Sequence, residues 1–285
     1  MQSFSYYRPA DINNLFGLMN QNRSGYRLLA GGTDLLVRLK SGRISPAVVI
    51  DIKRILDLQG GIQRTANSVS LGALTLMATL ESDPLIKDLF PALAEAAHNV
   101  GSVQIRNRAS IAGNICNASP AADTAPALLI YNATVNCLSS RGSRILPLYE
   151  FITGPGRTAL ASDELVKEIL LPIPPGNQAA AFTRLTRRKG VDLATINLCC
   201  QVSTAGMTRF ALGAVGPVPF IVEEGNGYLS SMEVSAEDKK NRIKALMEQA
   251  TPITDVRASK EYRQAMLTIL GQRALTTALE RLHAG

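Results

Sequence analysis

The chain has 285 residues, which is long enough for two domains because a single hydrophobic core usually stops growing near this length. Its composition, 46% hydrophobic and 19% charged, is typical of a globular protein and excludes a disordered or low-complexity chain. A net charge of +7 could attract nucleic acid, but Trp is absent and the basic residues are spread along the sequence, so we expect no nucleic-acid partner.

Two lobes of mixed helix and strand are predicted in the first 173 residues. In the small lobe, residues 1–56, the hydrophobic pattern predicts a βαβ-like unit: a helix over 11–19, a strand over 26–30, a short helix from Thr33 and a strand over 47–52. The larger lobe, residues 57–173, is predicted as a second α/β lobe: a strand over 68–72, helices over 75–82, 91–100 and 123–130, and a strand over 133–138.

A proline-rich stretch at residues 171–177 predicts a domain boundary, because consecutive prolines forbid helix and interrupt sheet ladders. The first domain is therefore placed at 1–173 and the second at 178–285. The second domain is predicted to be α+β, with antiparallel strands over 180–185, 194–204 and 208–215 and helices over 236–249 and 259–282.

The first motif that carries chemistry, residues 29–36, is an apolar strand that runs into two glycines and a helix start. Glycines let a backbone approach a ligand, and the first amides of a helix offer donors to a diphosphate. Thr33 and Asp34 could cap the helix or bond to that ligand. The structural alternative is a tight turn with an N-cap, and the motif lacks the G-x-G-x-x-G pattern of a nicotinamide-binding domain.

The second motif, residues 104–123, is a long stretch of small and hydrogen-bonding residues in an apolar neighbourhood. Its polar side chains could hold a diphosphate and a ribityl chain, while Ala112 and Gly113 leave room for a bulky ligand. Alternatively it is a structural loop whose polar groups satisfy its own backbone.

Metal centres and hydrolytic sites lack the residues that they need. The four cysteines, Cys116, Cys137, Cys199 and Cys200, have no C-x-x-C spacing, so we predict no metal site, and Cys116 is expected to be a small buried thiol. The two histidines supply little for a Ser-His-Asp or Cys-His site. No run of about 18 apolar residues and no signal peptide is present, so a cytoplasmic location without membrane insertion is expected.

Together the two motifs resemble the FAD-binding subunits of molybdenum hydroxylases. Residues 30–36 (AGGTDLL), 104–123 (QIRNRASIAGNICNASPAAD) and 255–263 (DVRASKEYR) carry the resemblance, which covers essentially the whole chain. Residues 113–120 and 141–156 are most similar to the bacterial xanthine dehydrogenase branch. The implied fold is α+β: a two-lobed FAD-binding domain of the vanillyl-alcohol oxidase type, also called PCMH type, followed by a C-terminal domain with a small antiparallel sheet and helices.

The resemblance implies noncovalent FAD binding, since neither motif has His or Cys at a position that attaches flavin in this fold class. The implied cofactor residues are Leu29, Ala30, Gly31, Gly32, Thr33, Asp34, Leu35 and Leu36 in the first motif, Ser110, Ile111, Ala112, Gly113, Asn114, Ser119 and Asp123 in the second, and Val100, Ile169, Leu170 and Arg184 elsewhere. One departure is Ala112, where relatives have glycine; a methyl group is tolerable there if φ is negative.

The resemblance also implies the activity and the partners. A large molybdopterin-binding subunit would hydroxylate the organic substrate, a small subunit with two 2Fe–2S clusters would relay electrons, and FAD here would pass them to NAD+ or another acceptor. No catalytic side chain is assigned in this chain. The absence of cluster ligands argues against the 4-hydroxybenzoyl-CoA reductase branch. Two alternatives are a stand-alone FAD-dependent oxidoreductase with the same cradle and a non-enzymatic nucleotide- or nucleic-acid-binding module.

Overall fold

The computed structural model describes residues 2–23 and 25–284, which form a mixed helix and sheet protein. The small lobe contains β1 (Ser5–Tyr7), α1 (Ile12–Gln21), β2 (Tyr26–Leu29), α2 (Leu35–Lys40) and β3 (Val48–Asp51). Its three strands pair in parallel in the order β1-β3-β2. Apolar side chains of α1, such as Leu15 and Met19, pack against Val48 and Ile50 of the central strand. The predicted βαβ unit is present, although β1 was not predicted because it has only three residues.

The larger lobe begins with a 3-10 turn at Leu56–Leu58 and contains most of the helices. Its elements are β4 (Ile62–Arg64), β5 (Ser68–Gly72), α3 (Met77–Ser82), α4 (Pro84–Leu89), α5 (Pro91–His98), α6 (Val103–Arg106), α7 (Ile111–Asn117), α8 (Thr124–Ile130), β6 (Thr134–Ser139), β7 (Gly142–Pro147), α9 (Leu148–Phe151), β8 (Ile152–Gly154), β9 (Arg157–Thr158) and β10 (Leu165–Pro172).

The sheet of the larger lobe is antiparallel throughout, in the order β4-β5-β10-β6-β7. The prediction of an α/β lobe is therefore wrong in strand direction. A two-residue turn joins β6 to β7, and such a short connection permits only antiparallel pairing. Hydrophobic periodicity specifies a strand but not the direction of its neighbour.

The second motif is also more regular than predicted, because it contains the helix α7 inside the expected loop. Ser110 caps this helix by accepting a hydrogen bond from the amide of Gly113 at 3.3 Å. Ile111 and Ile115, four residues apart, are fully buried. The four-residue spacing of the two isoleucines and the serine before them are sequence signals for a helix. The small residues between them weaken the hydrophobic periodicity, so the helix was not predicted.

The C-terminal domain contains β11 (Gln178–Leu185), β12 (Ile196–Ser203), β13 (Thr208–Gly213), β14 (Phe220–Glu224), α10 (Ala236–Met247) and α11 (Lys260–Ala284). The four strands pair antiparallel in sequence order. The helices cover one face of this sheet. The other face packs on the larger lobe, where Ala180, Cys199 and Ala211 join that lobe's core. Because side chains alternate along a strand, the neighbours Cys199 and Cys200 are buried in two different cores.

The proline stretch that predicts the domain boundary begins with the last two residues of β10 and ends just before β11. Within residues 2–23 and 25–284, none of the helices combines the length and apolar character needed to cross a bilayer.

Candidate functional site

A long cleft lies where the small lobe meets the larger lobe. It consists of two adjoining chambers of about 540 and 440 Å³. Both chambers share a stretch of wall formed by Arg27, Leu28, Ala30, Gly113 and Cys116. These volumes lie in the range of small-molecule and cofactor sites, and the elongated shape suits an extended ligand.

The glycine loop after β2 forms the centre of this cleft. Gly32 has φ of +78°, a conformation that L side chains rarely adopt. A Cβ atom on Gly31 would collide with the carbonyl oxygen of Arg108, which belongs to the second motif. The two glycines therefore let the small lobe approach the larger lobe closely, and this approach brings the two sequence motifs together.

Unused amide donors are concentrated in the first motif. Within the described chain, the amides of Gly31, Gly32, Thr33, Asp34 and Leu35 donate to no protein acceptor, and Asp34 makes no side-chain cap. Five successive free N–H groups at a helix start form an anion-binding surface.

The amides at the start of α7 are already occupied. Ile111 donates to the carbonyl of Thr75 at 2.9 Å, and Ala112 donates to the carbonyl of Ala73 at 3.3 Å. The amide of Gly113 is taken by the Ser110 cap. The second motif therefore shapes the wall of the cleft, while the first motif supplies the backbone donors.

Three arginines give the cleft a positive wall. Arg23, Arg27 and Arg38 line it, and Arg38 donates to the Asn117 side chain at 2.5 Å. Asp34 lies near Arg38, and its carboxylate accepts a hydrogen bond from the side-chain amide of Asn117 at 3.2 Å. A cationic cleft with free amides favours a dianionic ligand.

Besides Asp34, the cleft wall contains the carboxylate of Glu164. Its negative charge is balanced by Arg144, which lies outside the cleft. Arg144 donates to both of its oxygens, at 2.7 and 2.8 Å, and the amide of Ala161 donates at 2.8 Å. The Arg144 hydrogen bonds lower the pKa of Glu164 against the opposing effect of burial. This carboxylate therefore opposes the positive wall only weakly.

The smaller chamber is mostly apolar. The hydroxyl of Tyr26 donates to the Ser162 carbonyl at 2.7 Å, and burial raises the pKa of this phenol. The apolar part of the wall consists of Leu28, Ala30, Ile52, Ala73, Leu74, Leu160, Leu165 and Val166. Such a chamber suits an aromatic ring.

Most of the predicted cofactor residues in the two motifs line the cleft, whereas five of them and three of the four candidates elsewhere in the chain do not. The predicted residues in the wall are Ala30, Gly31, Gly32, Thr33, Asp34, Leu35, Val100, Ser110, Ala112, Gly113 and Asn114. The predicted residues outside it are Leu29, Leu36, Ile111, Ser119, Asp123, Ile169, Leu170 and Arg184. Ile111 and Ile169 are fully buried in the core, while Leu36 is 42% exposed.

Asp123 and Arg184 form an ion pair that joins the two domains. Arg184 donates to Asp123 and to the Asn99 carbonyl, both at 2.8 Å. Asn197 donates to the other oxygen of Asp123 at 3.0 Å. Burial raises the pKa of Asp123, and the bonds from Asn197 and Arg184 oppose that rise. The cluster fixes the chain next to Val100, which is itself in the cleft wall.

Ala112 has the negative φ that a methyl group requires, since it lies inside α7 and is absent from the positive-φ residues.

Cys116 lines both chambers, and burial raises the pKa of its thiol to about 12. Its sulfur is thus a neutral part of the wall at pH 7. The three arginines and Tyr26 were not predicted from the sequence as site residues. The arginines flank the first motif at residues 23, 27 and 38, which was the available signal.

Among the described residues, no group of three His, Cys, Asp or Glu side chains could hold a metal ion.

Comparisons with known proteins cover the whole chain. Residues 2–174 match the family described as FAD binding domain in molybdopterin dehydrogenase, and residues 180–278 match the CO dehydrogenase flavoprotein C-terminal domain. The chain is 30% identical to the nicotinate dehydrogenase FAD-subunit of Eubacterium barkeri, covering 100% of this chain and 99% of that protein. It is 29% identical to the putative xanthine dehydrogenase FAD-binding subunit of Escherichia coli K12, covering 96% of both chains.

Among solved structures, the chain is similar to carbon monoxide dehydrogenase from Hydrogenophaga pseudoflava, in a form that lacks the Mo-pyranopterin moiety of the molybdenum cofactor. The TM-score is 0.89 at 29% identity, and the match covers 98% of both chains. The predicted α+β architecture, with an FAD-binding domain and a C-terminal domain with an antiparallel sheet, is confirmed.

Proposed function

The chain belongs to the family of FAD-binding subunits of molybdopterin dehydrogenases, and we propose that it holds its FAD in the cleft between the two lobes. The single observation that carries this placement is the row of free amides from Gly31 to Leu35 in a cationic cleft. An FAD diphosphate needs such donors, and charge-assisted hydrogen bonds are among the stronger polar contacts.

The two chambers on either side of the glycine loop would hold the two ring systems. The resemblance to the family implies that Val100 lies beside the flavin, and Val100 lines the larger and more polar chamber. We therefore assign the flavin to that chamber and the adenine to the apolar one. Ser110, Asn114 and Asn117 face the larger chamber and would bind the ribityl hydroxyl groups.

Bound FAD supplies two-electron redox chemistry that can also exchange single electrons with iron–sulfur clusters. The chain orients the rings, excludes water from the apolar chamber and neutralises the diphosphate with Arg23, Arg27 and Arg38. No wall residue is assigned as a general acid or base.

The partners would be a molybdopterin-binding subunit that oxidises the substrate and a 2Fe–2S subunit that relays electrons. This division of labour is supported by relatives that are named as FAD subunits of dehydrogenases. The flavin would then deliver electrons to NAD+ or another acceptor, and the assembly would act in the cytoplasm.

The placement of FAD is tested by titrating the cofactor-free chain with FAD, FMN and ADP and following flavin or protein fluorescence. We expect FAD to bind most tightly, because the two ring chambers and the diphosphate loop are then all filled. Equal affinity for FAD and FMN would contradict the assignment of the apolar chamber to adenine. FMN carries only the flavin end of the cofactor and ADP only the adenine end. Their two affinities therefore give the contribution of each chamber to the binding free energy.

A further inference from the structure

The Asn114 side chain connects the wall of the larger chamber with a residue that is buried behind it. Asn114 belongs to α7 and lines this chamber. Its side-chain oxygen accepts a hydrogen bond from the Thr124 hydroxyl at 2.6 Å. Thr124 is the first residue of α8, is fully buried and lines neither chamber. A side chain without access to the cleft is therefore bonded directly to one in its wall.

This hydrogen bond decides which end of the Asn114 amide meets the cleft. An asparagine amide has an oxygen that accepts and a nitrogen that donates, and half a turn exchanges the two. After such a turn Asn114 would donate to Thr124 Oγ1, and the proton of the Thr124 hydroxyl would lose its acceptor. Within the described residues that hydroxyl makes no other hydrogen bond, and a buried donor without an acceptor is costly. Thr124 therefore holds the amide with its oxygen turned away from the cleft.

The amino group of Asn114 is left for a ligand. The backbone amide of Asn114 donates to the Ser110 carbonyl at 3.0 Å, but within the described chain the side-chain nitrogen, Nδ2, has no protein acceptor. The neighbouring hydroxyl of Ser110 already accepts a hydrogen bond from the amide of Gly113. Asn114 thus gives the wall of the larger chamber a side-chain donor whose direction is fixed from behind.

The first turn of α8 is held in turn by the C-terminal domain. Asp123, the residue before Thr124, accepts hydrogen bonds from Arg184 at 2.8 Å and from Asn197 at 3.0 Å. These bonds come from β11 and β12, so two strands of the other domain fix the chain next to the Thr124 hydroxyl. Thr124 is therefore a rigid support for the Asn114 amide.

We propose that Thr124 is a positioning residue for the flavin half of the cofactor. It holds Asn114 so that the amino group donates to an oxygen of the bound flavin nucleotide. The inference rests on the proposed function, which assigns the flavin and its ribityl chain to the larger chamber. Asn114 is not part of the wall of the apolar chamber, so the effect of Thr124 is confined to the flavin end of the cofactor.

The test compares the affinities of the full cofactor-free chain for FAD, FMN and ADP. Thr124→Val replaces the hydroxyl by a methyl group and leaves the Asn114 amide free to turn. The matched control is Thr208→Val in β13, because Thr208 is also fully buried but its hydroxyl has no hydrogen-bond partner within the described residues. Thr124→Ser keeps the hydroxyl, and Asn114→Ala removes the amide. Thermal unfolding shows that each variant is folded.

Thr124→Val should weaken the binding of FAD and FMN by about fivefold, the size of one neutral hydrogen bond, and leave the affinity for ADP unchanged. Thr124→Ser and the Thr208→Val control should bind all three nucleotides as the wild type does. Asn114→Ala should show the same selective loss as Thr124→Val. Adding Thr124→Val to Asn114→Ala should cause no further loss, because Thr124 acts through Asn114.

The other outcomes overturn the inference in distinguishable ways. Unchanged FMN affinity in Thr124→Val shows that the orientation of the amide is irrelevant to binding. An equal loss for FMN and ADP shows a general packing defect, and losses that add in the double variant show that Thr124 does not act through Asn114. If Thr124→Val does not fold, Thr124→Ala takes its place with the same expected results. A wild-type chain that binds neither FAD nor FMN contradicts the proposed function itself.

Discussion

At Gly31 the backbone of the small lobe lies so close to the larger lobe that no side chain fits between them. A Cβ atom there would displace the carbonyl of Arg108 or the glycine loop itself. The free amides that follow Gly31 would then move away from a bound diphosphate. A single atom at this position thus controls the geometry of the whole cleft.

Gly31→Ala is therefore expected to weaken FAD binding by at least about tenfold, because one charge-assisted hydrogen bond is worth about 1.5–3 kcal/mol. The matched control is Gly17→Ala in α1, where a Cβ atom would meet nothing within 4 Å. The control should bind FAD normally and gain about 0.5–1 kcal/mol of stability. FAD titration and thermal unfolding measure both effects, and normal FAD affinity in Gly31→Ala would refute the role of the loop.

At Ala112 the chain departs from the family's glycine, and the helical backbone explains why this is tolerated. Ala112→Gly should destabilise the fold by about 1 kcal/mol, because glycine in a helix loses more conformational entropy. FAD affinity should change little, since the Ala112 amide is bonded to Ala73 rather than free. Urea unfolding and FAD titration test this, and a more stable variant would contradict it.

At the residue scale, sequence reasoning identified the two motifs, because glycine pairs and polar side chains have local signatures. It did not show that Arg184 and Asp123 pair with each other. That pairing depends on how β11 packs against the larger lobe, 61 residues away along the chain. The loop amides also could not be called free until the fold showed which acceptors lie nearby.

At the element scale, the start of α11 depends on one carboxylate. Asp255 accepts hydrogen bonds from Arg257 and, at 2.6 Å, from Arg263, which is only 1% exposed. Arg263 also donates to the carbonyls of Thr195, just before β12, and Ala214, just after β13. Burial alone would raise the pKa of Asp255, but the bonds from the two arginines outweigh it and hold the pKa well below its ordinary value.

Asp255→Asn is therefore expected to destabilise the protein by about 3–5 kcal/mol at pH 7, since it leaves the Arg263 charge buried without a partner. A depressed pKa means that this stability is present above pH about 4 and is lost as pH falls through the folded-state value. The difference between variant and wild type should thus shrink below pH about 3. Denaturant unfolding of the variant and the wild type, at pH 7 and below pH about 3, measures this difference in stability.

The control for this prediction is Asp88→Asn, the same chemical change at an exposed position of α4. It should alter stability by less than about 0.5 kcal/mol. A difference in stability between Asp255→Asn and wild type that does not shrink below pH about 3 would argue against the carboxylate as its source.

Most elements of the C-terminal domain were predictable because each buries one apolar face with a clear period, but the edge strand β14 was missed. The edge strands β1, β4 and β7 were also missed, since β1 and β4 have only three residues each and β7 is mostly exposed. The pairing direction in the larger lobe also could not be predicted, because it is set by connection lengths and long-range packing.

At the scale of the whole molecule, the two domains meet in the core of the larger lobe. Side chains from β11, β12 and β13 join the apolar cluster of the larger lobe, and Arg184 adds a polar link beside it. Arg281 of α11 makes a second link, since it donates to Glu95 of α5 and to the Ala180 carbonyl at 2.6 Å. The C-terminal domain therefore supports the wall of the cleft next to Val100.

Arg184→Met should destabilise the protein by about 3 kcal/mol, because Asp123 stays buried without its cation. Adding Asp123→Asn removes that unpaired charge, so the double variant should be more stable than Arg184→Met alone. Arg187→Met, which removes a guanidinium that is 45% exposed and leaves Asp192 its second cation, Arg188, is the control and should cost less than about 1 kcal/mol. Strictly additive effects in a denaturant-unfolding cycle would show that Arg184 and Asp123 are not coupled.

The central claim is that this chain carries the flavin of a complex whose metals lie on other chains. It is tested most directly by purifying the complex through a tag on this chain, separating the subunits, and measuring FAD, molybdenum and iron on each. We predict about one FAD on this chain, released by acid, with all molybdenum and iron on the other chains. Iron or molybdenum that stays with this chain, or FAD that separates onto another, would contradict the account.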